Sequence, residues 1–141
     1  MAFLSCSSIT GVIKIWTFLF SASSLGGAKA AFDAAKAIKL CEAIFLAVPH
    51  TVSMQITPKL LAAGVRVIDL SGDYRLKKAA EYKKWYGAEH ADATNLAKAV
   101  YGLPEFYRED IRKAKLISNP GCYPTAALLA LAPLTTTSAK S

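Results

Sequence analysis

The chain has 141 residues, 53% of them hydrophobic, and a mean hydropathy of +0.29, which excludes a disordered polymer and leaves apolar mass for one domain core. Its formal net charge of +7 suits a partner bearing phosphate or carboxylate, but the basic residues are dispersed and no nucleic-acid module accompanies them, so no nucleic-acid partner is expected. Three cysteines, Cys6, Cys41 and Cys122, with only His50 and His90 beside them, lack metal-ligand spacing, so no metal is expected, and the odd count fits a reducing compartment.

From the N-terminus, Val12 to Phe20 is mostly apolar and Ala28-Lys29-Ala30 has the look of a signal-peptidase site. Lys14 interrupts the run, no positive charge precedes it, and it is too short to span a membrane. Residues 1–30 also hold no arginine of the kind transit peptides use. Residues 1–39 therefore read as a poorly specified segment, not a targeting peptide, and no membrane partner is expected.

Ala43 to Val48 is a continuous apolar run ended by Pro49, which reads as a strand buried on both faces. Thr51 to Ala63 reads as a helix interrupted or kinked at Pro58 and capped by Gly64. Val65 to Leu70 is the next strand, Ser71-Gly72-Asp73 opens a loop, and Lys77 to Tyr86 is a short amphipathic helix. A polar connection follows from Gly87 to Lys98, in which His90 reads as solvated. Val100 to Pro104 is an extended turn, Glu105 to Lys113 a charged helix, Leu116-Ile117 a third strand, and Cys122 to Pro133 an Ala/Leu-rich helix. Strands alternating with helices predict an α/β fold with a parallel sheet. In such a sheet ligands gather beyond the carboxyl ends of the strands, where Pro49-His50, Ser71 to Arg75 and Asn119 to Cys122 are expected to converge.

The strongest chemical signal lies at Asn119-Pro120-Gly121-Cys122. The turn and the helix-forming run behind it place Cys122 at a helix N-terminus, where unpaired N–H groups and the helix dipole favour the nucleophilic thiolate. Gly121 allows close backbone approach to a substrate, and adjacent N–H groups can stabilise an oxyanion. The same position also suits a small buried cysteine closing a strand–helix turn.

The segment with Pro120, Gly121, Cys122, Tyr123, Pro124, Thr125, Ala126, Ala130 and Pro133 resembles the active-site signature of N-acetyl-gamma-glutamyl-phosphate reductases. Leu46 to His50, Gly64 to Leu76 and Val100 to Glu105 are similar to further stretches of that family in the same order, so the resemblance covers about residues 40–133. The family is similar in fold and chemistry to aspartate-semialdehyde and glyceraldehyde-3-phosphate dehydrogenases. The resemblance implies a partial Rossmann-like parallel sheet with flanking helices, ending in the nucleophile helix of an α+β catalytic domain that is mostly missing. Residues 40–118 are then the later half of the nicotinamide-binding domain and residues 119–141 the start of the catalytic domain.

The activity so implied is NADPH-dependent reduction of N-acetyl-gamma-glutamyl phosphate to the semialdehyde through a Cys122 thioester, with phosphate released. NADP is the implied cofactor, a small acyl phosphate the substrate, the location cytoplasmic, and the full-length family oligomeric. Arg75 is the candidate for gripping the phosphoryl group, because a guanidinium forks two bonds onto phosphate oxygens; an ion pair with Asp73 or Glu81 is its other use. Ser71 is a candidate substrate contact or a loop cap, and Asn119 a candidate to orient thiolate or carbonyl or simply a turn former. His50 has the chemistry of a general base, but the family's histidine follows the cysteine and is expected beyond residue 141. Pro49-His50 is therefore read as a cofactor-proximal turn.

The chain also departs from the family. Gly11 stands alone and Gly26-Gly27 lacks the spacing of a dinucleotide loop. A catalytically incomplete fragment or a non-catalytic α/β module of the same descent is the alternative, and a thiol hydrolase pairing Cys122 with His50 a third.

Overall fold

Apolar runs separated by turn residues become strands of one sheet in the computed structural model, which describes residues 2–9, 13–20, 38–39 and 41–138, with side chains at 38–39 and 41–134. The elements in order are β1 (Ala2–Ile9), β2 (Ile13–Phe20), β3 (Ala43–Ala47), α1 (Ser53–Ala62), β4 (Arg66–Asp69), α2 (Ala79–Tyr86), α3 (Ala93–Lys98), β5 (Val100–Tyr101), α4 (Pro104–Lys113), β6 (Leu116–Ser118) and α5 (Cys122–Ser138). The sheet runs β1-β2-β3-β4-β6-β5, antiparallel only between β1 and β2. β1 and β2 fall in the segment for which the sequence suggests no element. Ala28-Lys29-Ala30 and the glycines Gly11, Gly26 and Gly27 lie outside the described residues.

The parallel strands and their helices have the α/β arrangement that the alternation predicts, in the Rossmann-like form that the resemblance implies. One difference is β3, expected to be buried on both faces. Ile44 and Leu46 are fully buried while Ala43, Phe45 and Ala47 are half-buried, so the strand alternates. Its buried face continues through Val67 of β4 and Leu116 of β6, and packs with Met54 and Leu60 of α1, Tyr82 of α2 and Leu96 of α3. Asp69 and Ser118 lie on that same apolar face at its carboxyl end, a placement that demands polar partners.

α1 runs through Pro58 unbroken and presents Ser53, Met54, Thr57 and Leu60 inward. It stops where Gly64 takes φ 83°, with Gly64 N–H on Leu61 C=O and Val65 N–H on Leu60 C=O, the paired bonds of a Schellman cap. Gly87, at φ 71°, ends α2 in the left-handed conformation. The polar stretch after it is not all connection: Asp92 caps α3 by accepting from Asn95 N–H, and Leu96 is buried. Val100-Tyr101, expected as a turn, pairs with β6 as the sheet's last strand. Pro104 opens α4, where a missing N–H costs nothing, and Arg66 Nη2 donates to the Ile111 carbonyl near its end. α5 continues past Pro133 to Ser138 and leaves Leu128, Leu129, Leu131 and Leu134 exposed. Among the described residues no helix is long and apolar enough to cross a membrane.

Candidate functional site

Short bonds extend the sheet beyond its strands and bring three turns to one edge. Leu70 N–H donates to Leu46 C=O at 2.9 Å, and Asn119 N–H donates to Asp69 C=O at 2.8 Å. On the far side Gly102 N–H donates to Ser118 C=O at 2.8 Å. The turns after β3, β4 and β6 therefore share the carboxyl edge, the convergence that topology predicts.

The Ser71 to Arg75 turn is held from both sides by buried carboxylates. Asp69 Oδ1 accepts from Ser53 Oγ at 2.8 Å and Ser71 N–H at 3.1 Å, and its Oδ2 accepts from Ser71 Oγ at 2.9 Å. Burial raises the Asp69 carboxyl above its ordinary value despite these bonds, with nearby Asp73 adding in the same direction. Asp73, fully buried, accepts from Thr51 N–H, Met54 N–H and the Tyr82 hydroxyl. Tyr74 donates its hydroxyl to Asp92 Oδ2 at 2.8 Å, and burial pushes both Tyr74 and Tyr82 upward from the usual phenol range.

Arg75 does not pair with Asp73 or Glu81. Its Nε donates to Asn119 C=O at 2.9 Å and its Nη2 to Leu70 C=O at 3.0 Å, because Asp73 is turned into the core and already holds three donors. The third nitrogen faces Gly121: a methyl added there would lie 3.3 Å from Nη1. The guanidinium thus abuts the residue before Cys122 and also lines a cleft of about 300 Å³ with Tyr74, Lys77, Ala99, Tyr101 and Tyr107.

Cys122 is exposed. It is the first residue of α5, and Gly121 C=O accepts from Thr125 N–H at 3.0 Å and Thr125 Oγ1 at 2.9 Å. Pro124 has no N–H, so the first turn presents the N–H groups of Cys122 and Tyr123, which have no intrahelical acceptor.

The remaining candidates divide. Asn119 joins the site through its backbone, while its side-chain amide donates to Pro120 C=O at 3.2 Å. Ser71 spends its hydroxyl on Asp69 and on Asp73 N–H, at 3.1 Å. Pro49 and His50 are exposed at the edge, and His50 Nδ1 accepts from Gly72 N–H at 3.3 Å, which leaves the proton of the neutral ring on Nε2, pointing elsewhere. His90, expected in solvent, is buried: Nε2 bonds Asp73 C=O at 2.8 Å, Nδ1 accepts from Asp92 N–H at 3.1 Å, and Tyr74 and Tyr82 meet the ring edge to face. Asp69, Asp73 and Tyr82 are the site-shaping residues that the sequence reading did not single out. Two aspartates flanking Leu-Ser-Gly at a strand end were the available signal. No group of three or more metal-ligating side chains occurs among the described residues.

Residues 16–114 match the family model described as semialdehyde dehydrogenase, NAD binding domain. The chain is similar to N-acetyl-gamma-glutamyl-phosphate reductases of Magnetococcus marinus, at 43% identity over 95% of this chain, and Campylobacter curvus, at 47% over 94%. It is also similar to the reductase of Desulfotalea psychrophila, at 59% over 64% of this chain. The chain spans 38% of the length of the first two relatives and 26% of the third. A crystal structure of aspartate semialdehyde dehydrogenase II from Vibrio cholerae superposes on 71% of this chain and 25% of its own, with a TM-score of 0.48 at 20% identity.

Proposed function

The chain belongs to the semialdehyde dehydrogenase family through its NAD-binding domain, and we propose that it is part of an NADP-dependent N-acetyl-gamma-glutamyl-phosphate reductase in which Cys122 forms the thioester. The observation that carries this reading is the exposed Cys122 at the start of α5 with the Arg75 guanidinium against Gly121. In this reading residues 40–118 are the later part of the nucleotide-binding unit and residues 119–141 begin the catalytic domain. The proposal includes a cytoplasmic location and, for the full-length enzyme, an oligomeric state.

The Cys122 thiolate attacks the acyl carbon. The S–C bond forms, the bond from that carbon to the phosphate oxygen breaks, and inorganic phosphate leaves with its charge met by Arg75. The Cys122 and Tyr123 N–H groups face the oxyanion of the tetrahedral state. Asn119 holds Arg75 through its carbonyl and so places the cation beside the nucleophile. The family's cofactor fits the carboxyl edge, where His50 keeps an Nε2–H donor facing away from its bond to Gly72 and Pro49 is exposed beside it; these two residues would border it. When bound, the nicotinamide supplies the hydride that reduces the thioester to aldehyde and returns the thiolate.

Intact-mass spectrometry tests the reading. Incubation with N-acetyl-gamma-glutamyl phosphate should add an N-acetylglutamyl group to the chain and release one equivalent of phosphate, and Cys122→Ser should do neither. A Cys122→Ser variant that still forms the adduct refutes Cys122 as the nucleophile, and a folded wild-type chain that forms none refutes acylation by this part of the enzyme on its own.

A further inference from the structure

We propose that Asp73 is a positioning residue whose carboxylate clasps the Pro49 to Thr51 turn onto the Ser71 to Arg75 turn, so that the cofactor side and the substrate side of the edge move as one piece. The clasp has two points. Asp73 Oδ1 accepts from Thr51 N–H at 2.9 Å, and His50 Nδ1 accepts from Gly72 N–H at 3.3 Å, so adjacent residues of one turn hold adjacent residues of the other.

Each remaining atom of Asp73 is engaged in keeping it there. The Tyr82 hydroxyl donates to Oδ1 at 2.8 Å and Met54 N–H to Oδ2 at 3.0 Å, while His90 holds its carbonyl and Ser71 Oγ its N–H. Met54 lies in the first turn of α1, where its N–H has no intrahelical acceptor. Thr51 has φ 69°, a left-handed conformation that a β-branched residue keeps only when its surroundings impose it. Losing the bond to Asp73 lets Thr51 relax, draws His50 off Gly72, and frees the turn that ends in Arg75.

Asp73→Ala removes both acceptor oxygens and with them the bond to Thr51. In the whole chain, the Gly72 amide is expected to exchange with solvent about tenfold faster, while β3 and β4 amides stay within about threefold of wild type. By the reading above, inorganic phosphate at Arg75 shields Cys122 from iodoacetamide, and this shielding is expected to need about tenfold more phosphate. Thr51→Gly, which takes positive φ freely, should restore most of both effects in the Asp73→Ala background. Should Asp73→Ala fail to fold, Tyr82→Phe removes a single bond to the carboxylate and should speed Gly72 exchange about threefold. Unchanged Gly72 exchange in a folded variant overturns the clasp, and so does a Thr51→Gly change that restores nothing. Faster Gly72 exchange in a chain whose wild type shows no phosphate shielding upholds the clasp and refutes the phosphate role of Arg75.

Discussion

Replacing Arg75 by methionine separates what the guanidinium does for the fold from what it does for an anion. Methionine keeps much of the apolar stem, so the change removes chiefly the bonds to the carbonyls of Asn119 and Leu70, at 2.9 and 3.0 Å. Hydrogen bonds from a charged donor contribute about 1.5–3 kcal/mol each, and the half-buried setting calls for the low end, giving about 3 kcal/mol for the pair. With a urea slope of about 2 kcal/mol/M for a domain of this size, the unfolding midpoint should fall by about 1.5 M. Arg75→Lys keeps the charge but reaches one carbonyl, and should fall about half as far. Urea melts followed by circular dichroism provide the readout, with phosphate shielding of Cys122 measured on the same samples. Both variants should lose most of the shielding. A methionine variant with a midpoint within about 0.3 M of wild type would show that these bonds do not hold the turn. A lysine variant equal to arginine in both assays would refute the argument from fork geometry.

Two glycines of the edge should respond differently to alanine. At Gly102 the added methyl would meet Ile117 Cγ2 at 3.0 Å, Ser118 O at 3.1 Å and Asn119 Cα at 3.3 Å, two of them backbone, so the loss should be about 1–3 kcal/mol. At Gly121 the neighbours are 3.3 and 3.4 Å away, so the stability cost should stay below about 1 kcal/mol while thioester formation falls; urea midpoints that rank the two in the opposite order would contradict this. Because burial raises Asp69 above its ordinary value of 3.8, the folded chain holds that proton more tightly than the unfolded one. Its contribution to stability should therefore decline as pH rises from 3.8 through the raised folded value and level off above it. The difference in urea midpoint between wild type and Asp69→Asn should follow that decline; a difference that is flat or grows with pH in this window would be inconsistent with the buried acid. Leu131 and Leu134 are 56% and 67% exposed on α5, a surface prone to association. Leu131→Glu with Leu134→Glu should lower the sedimentation coefficient at high concentration, and an unchanged value would locate any association elsewhere.

The legible parts of the fold were those with a local cause. The β3 and β4 runs, the Gly64 cap and the Cys122 turn each declare themselves within a few residues, and the order of strands and helices then sends the three turns to one edge. α3 and β5 have no such cause. α3 is six residues with a single buried leucine, and β5 is two residues whose strand character comes only from pairing with β6. His90 sits in a polar stretch and reads as solvated, yet its ring is enclosed by Tyr74 and Tyr82 and its Nε2 bonds a carbonyl 17 residues away.

The chemistry at the edge was therefore present in the sequence as an inventory: a thiol at a helix start, a guanidinium, an imidazole, two carboxylates. Local rules of turns, caps and periodicity were enough to place these groups near one another. Which polar atoms satisfy each other was decided only in the folded chain. Arg75 reaches Asn119 across 44 residues instead of Asp73 two residues away, and Asp73 reaches Thr51 across 22. The physical reason is that a buried polar group must be paired, and the available partners are set by which backbone groups the sheet and helix ends leave unsatisfied at that spot.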